Sequence, residues 1–135
     1  MIKLYIDSGL PFAEIILLHN NKHLVINKAL IDTGSMSTII STDYALELDL
    51  QPEANDTIRP IRGVGGIEYV YEKNVDTLKI DTEQVSNYKL QIGAMDYGFN
   101  INAIVGFDLL SKAKIILDTG NQILFSSNSY NSHQK

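Results

Sequence analysis

Ala29-Leu30-Ile31-Asp32-Thr33-Gly34-Ser35 is an apolar run that stops abruptly at an acid, a hydroxyl and a glycine. Three apolar residues in a row suit a buried strand. A carboxylate placed directly after them stands at the end of that strand, in a turn whose backbone N–H groups can reach it. Hydrogen bonds from those groups favour the ionised acid, whereas burial favours the neutral one. Both tendencies serve an acid–base catalyst. Asp-Thr-Gly is also ordinary turn chemistry, and a second copy occurs at Asp118-Thr119-Gly120. The tripeptide alone leaves catalysis and a plain turn both open.

Outward from this stretch, strand signals dominate. Ala13 to Leu18 is short and apolar, and Lys22 to Leu30 follows as its hairpin partner across Asn20-Asn21, a pair suited to positive φ. Thr38-Ile39-Ile40 is a further strand. Ser41-Thr42-Asp43 opens a helix, with a hydroxyl cap and an acid in the first turn, and Tyr44 to Leu48 continues it until before Pro52. Thr57 to Arg62 and Ile67 to Val75 read as strands, then Leu78 to Ile80 and Val85 to Ile92. Ile101 to Val105 meets Gly106, and Phe107 to Lys112 makes one or two helical turns. Lys114 to Leu117 and Gln122 to Phe125 form a last hairpin. The expectation is one mainly β domain over residues 1–126, a small barrel or sandwich with one or two short helices. A polar, frayed tail is expected over 127–135.

Two other segments bear on chemistry. Gly63-Val64-Gly65-Gly66 lies between two strand-like runs, where glycines permit a close approach to an extended ligand. A phosphate-binding loop is excluded, because no Lys-Ser or Lys-Thr follows and Ile67-Glu68-Tyr69-Val70-Tyr71 alternates like a strand. A simple hairpin turn remains the plain alternative. Ala103-Ile104-Val105-Gly106-Phe107-Asp108-Leu109-Leu110 is an apolar strand, a glycine and a short helix.

Together and in this order, these segments resemble the retropepsin-like aspartic proteases, the family of the retroviral proteases and their small prokaryotic relatives. The resemblance covers roughly residues 10 to 125 and implies a closed β-barrel of the acid protease type. It implies that Asp32, Thr33, Gly34 and Ser35 form the catalytic loop of a homodimer, with Asp32 of each chain meeting at a twofold axis. Thr33 would bond across that axis, Gly34 would present its N–H to the carboxylates, and Ser35 would bond the outer oxygen of Asp32. Gly63, Val64, Gly65 and Gly66 would form a mobile flap over a peptide or protein substrate. Ile104, Val105 and Gly106 would pack against the catalytic loop and line the site. Asp118 would be a hairpin cap with no part in catalysis. One departure is Phe107, where retroviral members usually carry Arg. The chain also ends differently, which puts the interleaved terminal strands of the viral dimers in doubt here.

Composition narrows the alternatives. Among 135 residues the net charge is −5, which argues against a nucleic-acid partner. There is no cysteine, so no disulfide framework and no thiolate metal site. His19, His23 and His133 lack a third ligand at zinc-like spacing and read as surface residues, so neither metal nor cofactor is expected. No stretch approaches the length of a membrane span or a signal peptide, and a cytoplasmic protein is the expectation. The competing functions are an active endopeptidase, a catalytically slow or inactive peptide-binding dimer of the same fold, and a structural dimerisation domain.

Overall fold

The computed structural model describes residues 1–63 and 66–128, those at 62, 63 and 66 by backbone alone. The long hairpin forms as its turn chemistry requires. Strands β3 (Leu10–His19) and β4 (Lys22–Ile31) are joined by Asn20 and Asn21 at φ 49° and 63°, the left-handed pair that matches strand twist. Asp76 holds this turn from outside, accepting the Asn20 N–H at 3.0 Å.

Strand β5 (Ile39–Ser41) runs into α1 (Thr42–Glu47), whose first turn is capped by Ser41 Oγ accepting the Asp43 N–H. The helix stops before Pro52 can act. Asp49 turns left-handed at φ 58°, and Leu50 N–H reaches back to the Ala45 carbonyl at 3.0 Å while its side chain is buried.

Strands β6 (Ile58–Gly63), β7 (Gly66–Ile80) and β8 (Glu83–Gly93) form an antiparallel meander. The sequence suggested a break in β7 at Asp76-Thr77. The strand continues through it, because β8 pairs with β7 on both sides, from Tyr71↔Ile92 to Val75↔Tyr88 and from Thr77↔Ser86 to Ile80↔Glu83. Asp76 faces solvent and donates its N–H to His19 Nδ1 at 3.3 Å. Strand β9 (Ala103–Val105), α2 (Phe107–Lys112), β10 (Ile115–Asp118) and β11 (Ile123–Ser126) complete the expected elements.

Two short strands were not foreseen: β1 (Ile2–Lys3) and β2 (Tyr5–Asp7). Each is too brief to show a period of its own. β1 pairs with β11, giving a three-stranded sheet in the order β1-β11-β10, and β2 adds to β3.

The larger sheet runs β2-β3-β4-β9-β5-β8-β7-β6, and a further pairing, Leu17↔Leu78 between β3 and β7, closes it into a ring. The expected closed sheet is thus present. Its interior is filled by Ile15, Leu17, Ile26, Val75, Leu78, Ile80, Leu90 and Ile92, all fully buried. Each such side chain contributes roughly 1.5–3 kcal/mol by leaving water. A second, smaller cluster of Phe12, Ile39, Val70, Met95 and Ile101 lies on the other face of the β4/β9 strands, with Leu30, Ile61 and Ile104 packed on it.

Candidate active site

The position of Asp32 follows from a parallel pairing. β4 and β9 run side by side with Leu30↔Ile104 and Ile31↔Val105 in register. β5 lies on the other side of β9, antiparallel, with Ile39↔Ile104. The segment 32–38 therefore leaves β4 on one flank of β9 and must re-enter on the other. It crosses the end of β9, and the residue beneath the crossing is Gly106.

A Cβ on Gly106 would lie 2.2 Å from the Ser37 carbonyl oxygen, 2.6 Å from its carbon and 2.9 Å from the Ser35 oxygen. The backbone of Gly106, at φ −88° and ψ 175°, is open to any residue. Glycine is required there for space and not for conformation.

Five hydrogen bonds define the crossing. Asp32 N–H donates to Val105 O at 3.0 Å, continuing the β4–β9 pairing by one residue. Gly34 N–H donates to Asp32 Oδ1 at 2.9 Å, as its place in the turn suggested. Ser35 N–H donates to Asp32 O at 3.1 Å, Phe107 N–H to Ser35 O at 2.7 Å, and Gly106 N–H to Thr38 Oγ1 at 3.1 Å. Asp32 is half-buried, while Thr33 and Gly34 are exposed.

Two expectations need correction. Ser35 Oγ does not bond Asp32; it donates to the Ser37 carbonyl at 2.8 Å, because the loop folds back over Gly106 and brings that carbonyl closer. Val105 does not line a cleft. Its side chain is fully buried in the ring interior, since residues alternate along β9, and it serves the site through its carbonyl. Ile104, pointing the other way, joins Leu30 in the second cluster.

The β6/β7 hairpin lies over that cluster through Ile61 and Val70. Its last described pair is Gly63↔Gly66; Val64 and Gly65 fall outside the described residues. Glu68 anchors the hairpin, accepting from Met95 N–H at 2.9 Å and from the Tyr97 hydroxyl. Burial, and then the Glu68 carboxylate, push the Tyr97 phenol well above its usual range, so it stays a donor.

The family model described as "gag-polyprotein putative aspartyl protease" matches residues 19–112, from the first hairpin through α2. The chain belongs to this aspartyl protease family. A retropepsin-like aspartic protease from Rickettsia conorii matches in structure with a TM-score of 0.66 over 93% of this chain and 97% of that one, at 16% identity. The fold is therefore retropepsin-like. No curated protein matches the sequence.

The second Asp-Thr-Gly lies beyond the segment that matches the aspartyl protease family. Asp118 ends β10 in the small three-stranded sheet and accepts from Asn121 N–H and Nδ2, both at 2.9 Å. Those bonds, the side-chain one foremost, hold its carboxyl below the usual range. It closes a turn, as the sequence suggested.

Several supports of the aspartyl protease loop were not read from the sequence. Thr38 is completely buried, and its hydroxyl accepts the Gly106 N–H. Ser37 Oγ donates to Gln91 Oε1 at 2.6 Å, whose amide donates to Glu72 at 3.3 Å, beside Arg59 at 3.0 Å from Glu72. A hydroxyl opening an apolar strand at Thr38-Ile39-Ile40 was the one available signal. Among the described residues no cluster of three metal-ligating side chains occurs, and no helix is long and apolar enough to cross a membrane.

Proposed function

We propose that two copies of this chain form one aspartic endopeptidase site, in which Asp32 of each copy supplies one carboxylate. The observation that carries this is the placement of Asp32. Its backbone is pinned to β9, its Oδ1 accepts the Gly34 N–H, and the side chain keeps access to solvent. One chain offers one such loop, so a pair of acids requires a second chain and a twofold axis.

Two carboxylates at close range cannot both ionise, so they share one proton. The ionised Asp32 takes a proton from a water as its oxygen bonds to the peptide carbonyl carbon. The protonated Asp32 of the other copy donates to the carbonyl oxygen. Proton return to the amide nitrogen then releases the amine as the C–N bond breaks. Thr33 is assigned to bracing the two loops across the axis. The 63–66 segment and Ile104 are assigned to the substrate side, where an extended peptide would lie like an added strand.

Exposed apolar surface beside the loop supports association. Met36 is 88% exposed and Phe107 59%, and Phe107 is bonded to the loop through its N–H. Such surface next to a charged site is what a second copy would cover. The terminal strands support a different interface from the interleaved viral one, because both edges of β11 are occupied by β1 and β10 of the same chain.

The test is cleavage of a peptide library by wild type and Asp32→Asn, with solution mass measured alongside. Cleavage by a dimer that Asp32→Asn abolishes supports the proposal. Cleavage by a strict monomer, or undiminished cleavage by Asp32→Asn, refutes it. A folded wild-type dimer that retains peptides uncut would favour the binding function instead.

A further inference from the structure

The back of the loop carries a carboxylate that the mechanism does not use. Asp108 sits in the first turn of α2, and its two oxygens divide three donors. Oδ1 accepts Thr38 Oγ1 at 3.0 Å and the Leu109 N–H at 2.7 Å, and Oδ2 accepts the Tyr88 hydroxyl. Thr38 is completely buried and Tyr88 is 3% exposed, so neither hydroxyl has water as an alternative partner.

The direction of these bonds is fixed by chemistry. An ionised carboxylate only accepts, so Thr38 must spend its one proton on Asp108. Its oxygen is then left as an acceptor, and Gly106 N–H fills it at 3.1 Å. The chain of bonds runs from Tyr88 on β8 through Asp108 on α2 and Thr38 at the end of the loop to Gly106 under the crossing. It joins β8, α2 and the loop, beside the Ser37–Gln91 bond that also ties the loop to β8. Burial, and next the Asp108 carboxylate, raise the Tyr88 phenol far above its ordinary value, which keeps it a donor. Lys112, one turn along α2, places its Nζ 5.8 Å from the Tyr88 ring centre and closes the outer side.

We infer that Asp108 and Tyr88 are positioning residues for Asp32: they act through Thr38 and Gly106 to hold the crossing loop in the one arrangement that presents its carboxylate. This rests on the aspartic peptidase proposed above. An amide at 108 would serve less well. With its oxygen toward Thr38, the Nδ2 group faces the phenol oxygen of Tyr88, which can accept from it, but the phenol proton then loses its carboxylate acceptor at a residue only 3% exposed.

The test compares wild type with Tyr88→Phe and Asp108→Asn, both nearly isosteric. For Tyr88→Phe, kcat on a cleaved peptide should fall about tenfold, the scale of one lost hydrogen bond to a charged group, with KM within about twofold. Asp108→Asn should fall further. In parallel, amide hydrogen exchange at Asp32 and Gly106 should speed up by a similar factor, while exchange at Ile15 and Leu17 in β3 stays unchanged. Unchanged kcat and loop exchange in both variants would overturn the inference. So would acceleration shared equally by β3, since the bonds would then only stabilise the domain. If wild type cleaves nothing, the peptidase proposal fails, and the exchange comparison still decides whether these residues hold the loop.

Discussion

Replacing Gly106 by Ala probes the crossing most directly. The added methyl would stand 2.2 Å from the Ser37 oxygen, and all three atoms it meets belong to backbone. To restore van der Waals contact near 3.4 Å the 35–37 segment must retreat by about 1 Å. Retreat lengthens the Phe107 N–H to Ser35 O bond, now 2.7 Å, and the Gly106 N–H to Thr38 bond, now 3.1 Å. Over-packing costs about 1–3 kcal/mol, and the two weakened bonds about 1 kcal/mol each. The sum, about 3–5 kcal/mol, is a large share of the roughly 5–15 kcal/mol that holds a domain together. At this size it corresponds to a Tm loss on the order of 10–20 °C. Urea unfolding of Gly106→Ala against wild type measures it, and peptide cleavage should fall by more than the folded fraction does. Gly120→Ala is the control. Its methyl would meet only Asp118 Oδ1, at 3.7 Å, and the variant should be neutral or stabilised by about 0.4–1 kcal/mol. A Gly106→Ala protein within about 0.5 kcal/mol of wild type would show that the loop does not cross there.

Other outcomes follow from the same contacts. Asp32→Asn should leave the unfolding midpoint near that of wild type and remove all cleavage, and residual turnover in a folded variant would exclude Asp32 as the catalytic acid. Asp118→Asn should retain at least half the activity, since its partners are confined to its own turn; full inactivation of a folded protein would return the second Asp-Thr-Gly to the site. The Lys73 side chain, foremost, and the Glu53 N–H hold Asp56 below its usual value of 3.8, and Asp118 is lowered by Asn121. The unfolded chain therefore binds more protons than the folded one below that value, so this share of stability is present above it and lost as pH falls. Urea midpoints from pH 7 to 2.5 should drop on the acid side, and less for Asp56→Asn; an equal drop would remove Asp56 as a contributor.

Much of this protein was legible in local sequence. The Asn20-Asn21 turn, the Ser41 cap, the extent of α2 and the bond from Gly34 to Asp32 each involve residues within a few positions of one another. Their geometry follows from side-chain size, φ preference and a short reach between donor and acceptor. The turn-capping place of Asp118 was legible for the same reason.

Tertiary structure alone decided the rest. That β9 slots between β4 and β5 depends on a parallel pairing between residues more than seventy positions apart, and no local pattern encodes it. That insertion turns Gly106 from a permissive residue into an obligatory one, buries Val105, and draws Ser35 away from Asp32 toward Ser37. It also gathers Thr38, Tyr88 and Asp108, which look in sequence like a strand start, a strand residue and an acid in a short helix. The sequence determined which residue carries the acid and the turn that receives it. The packing of distant strands determined what holds that acid still, because hydrogen-bond partners in a closed sheet are chosen by register and burial across the chain.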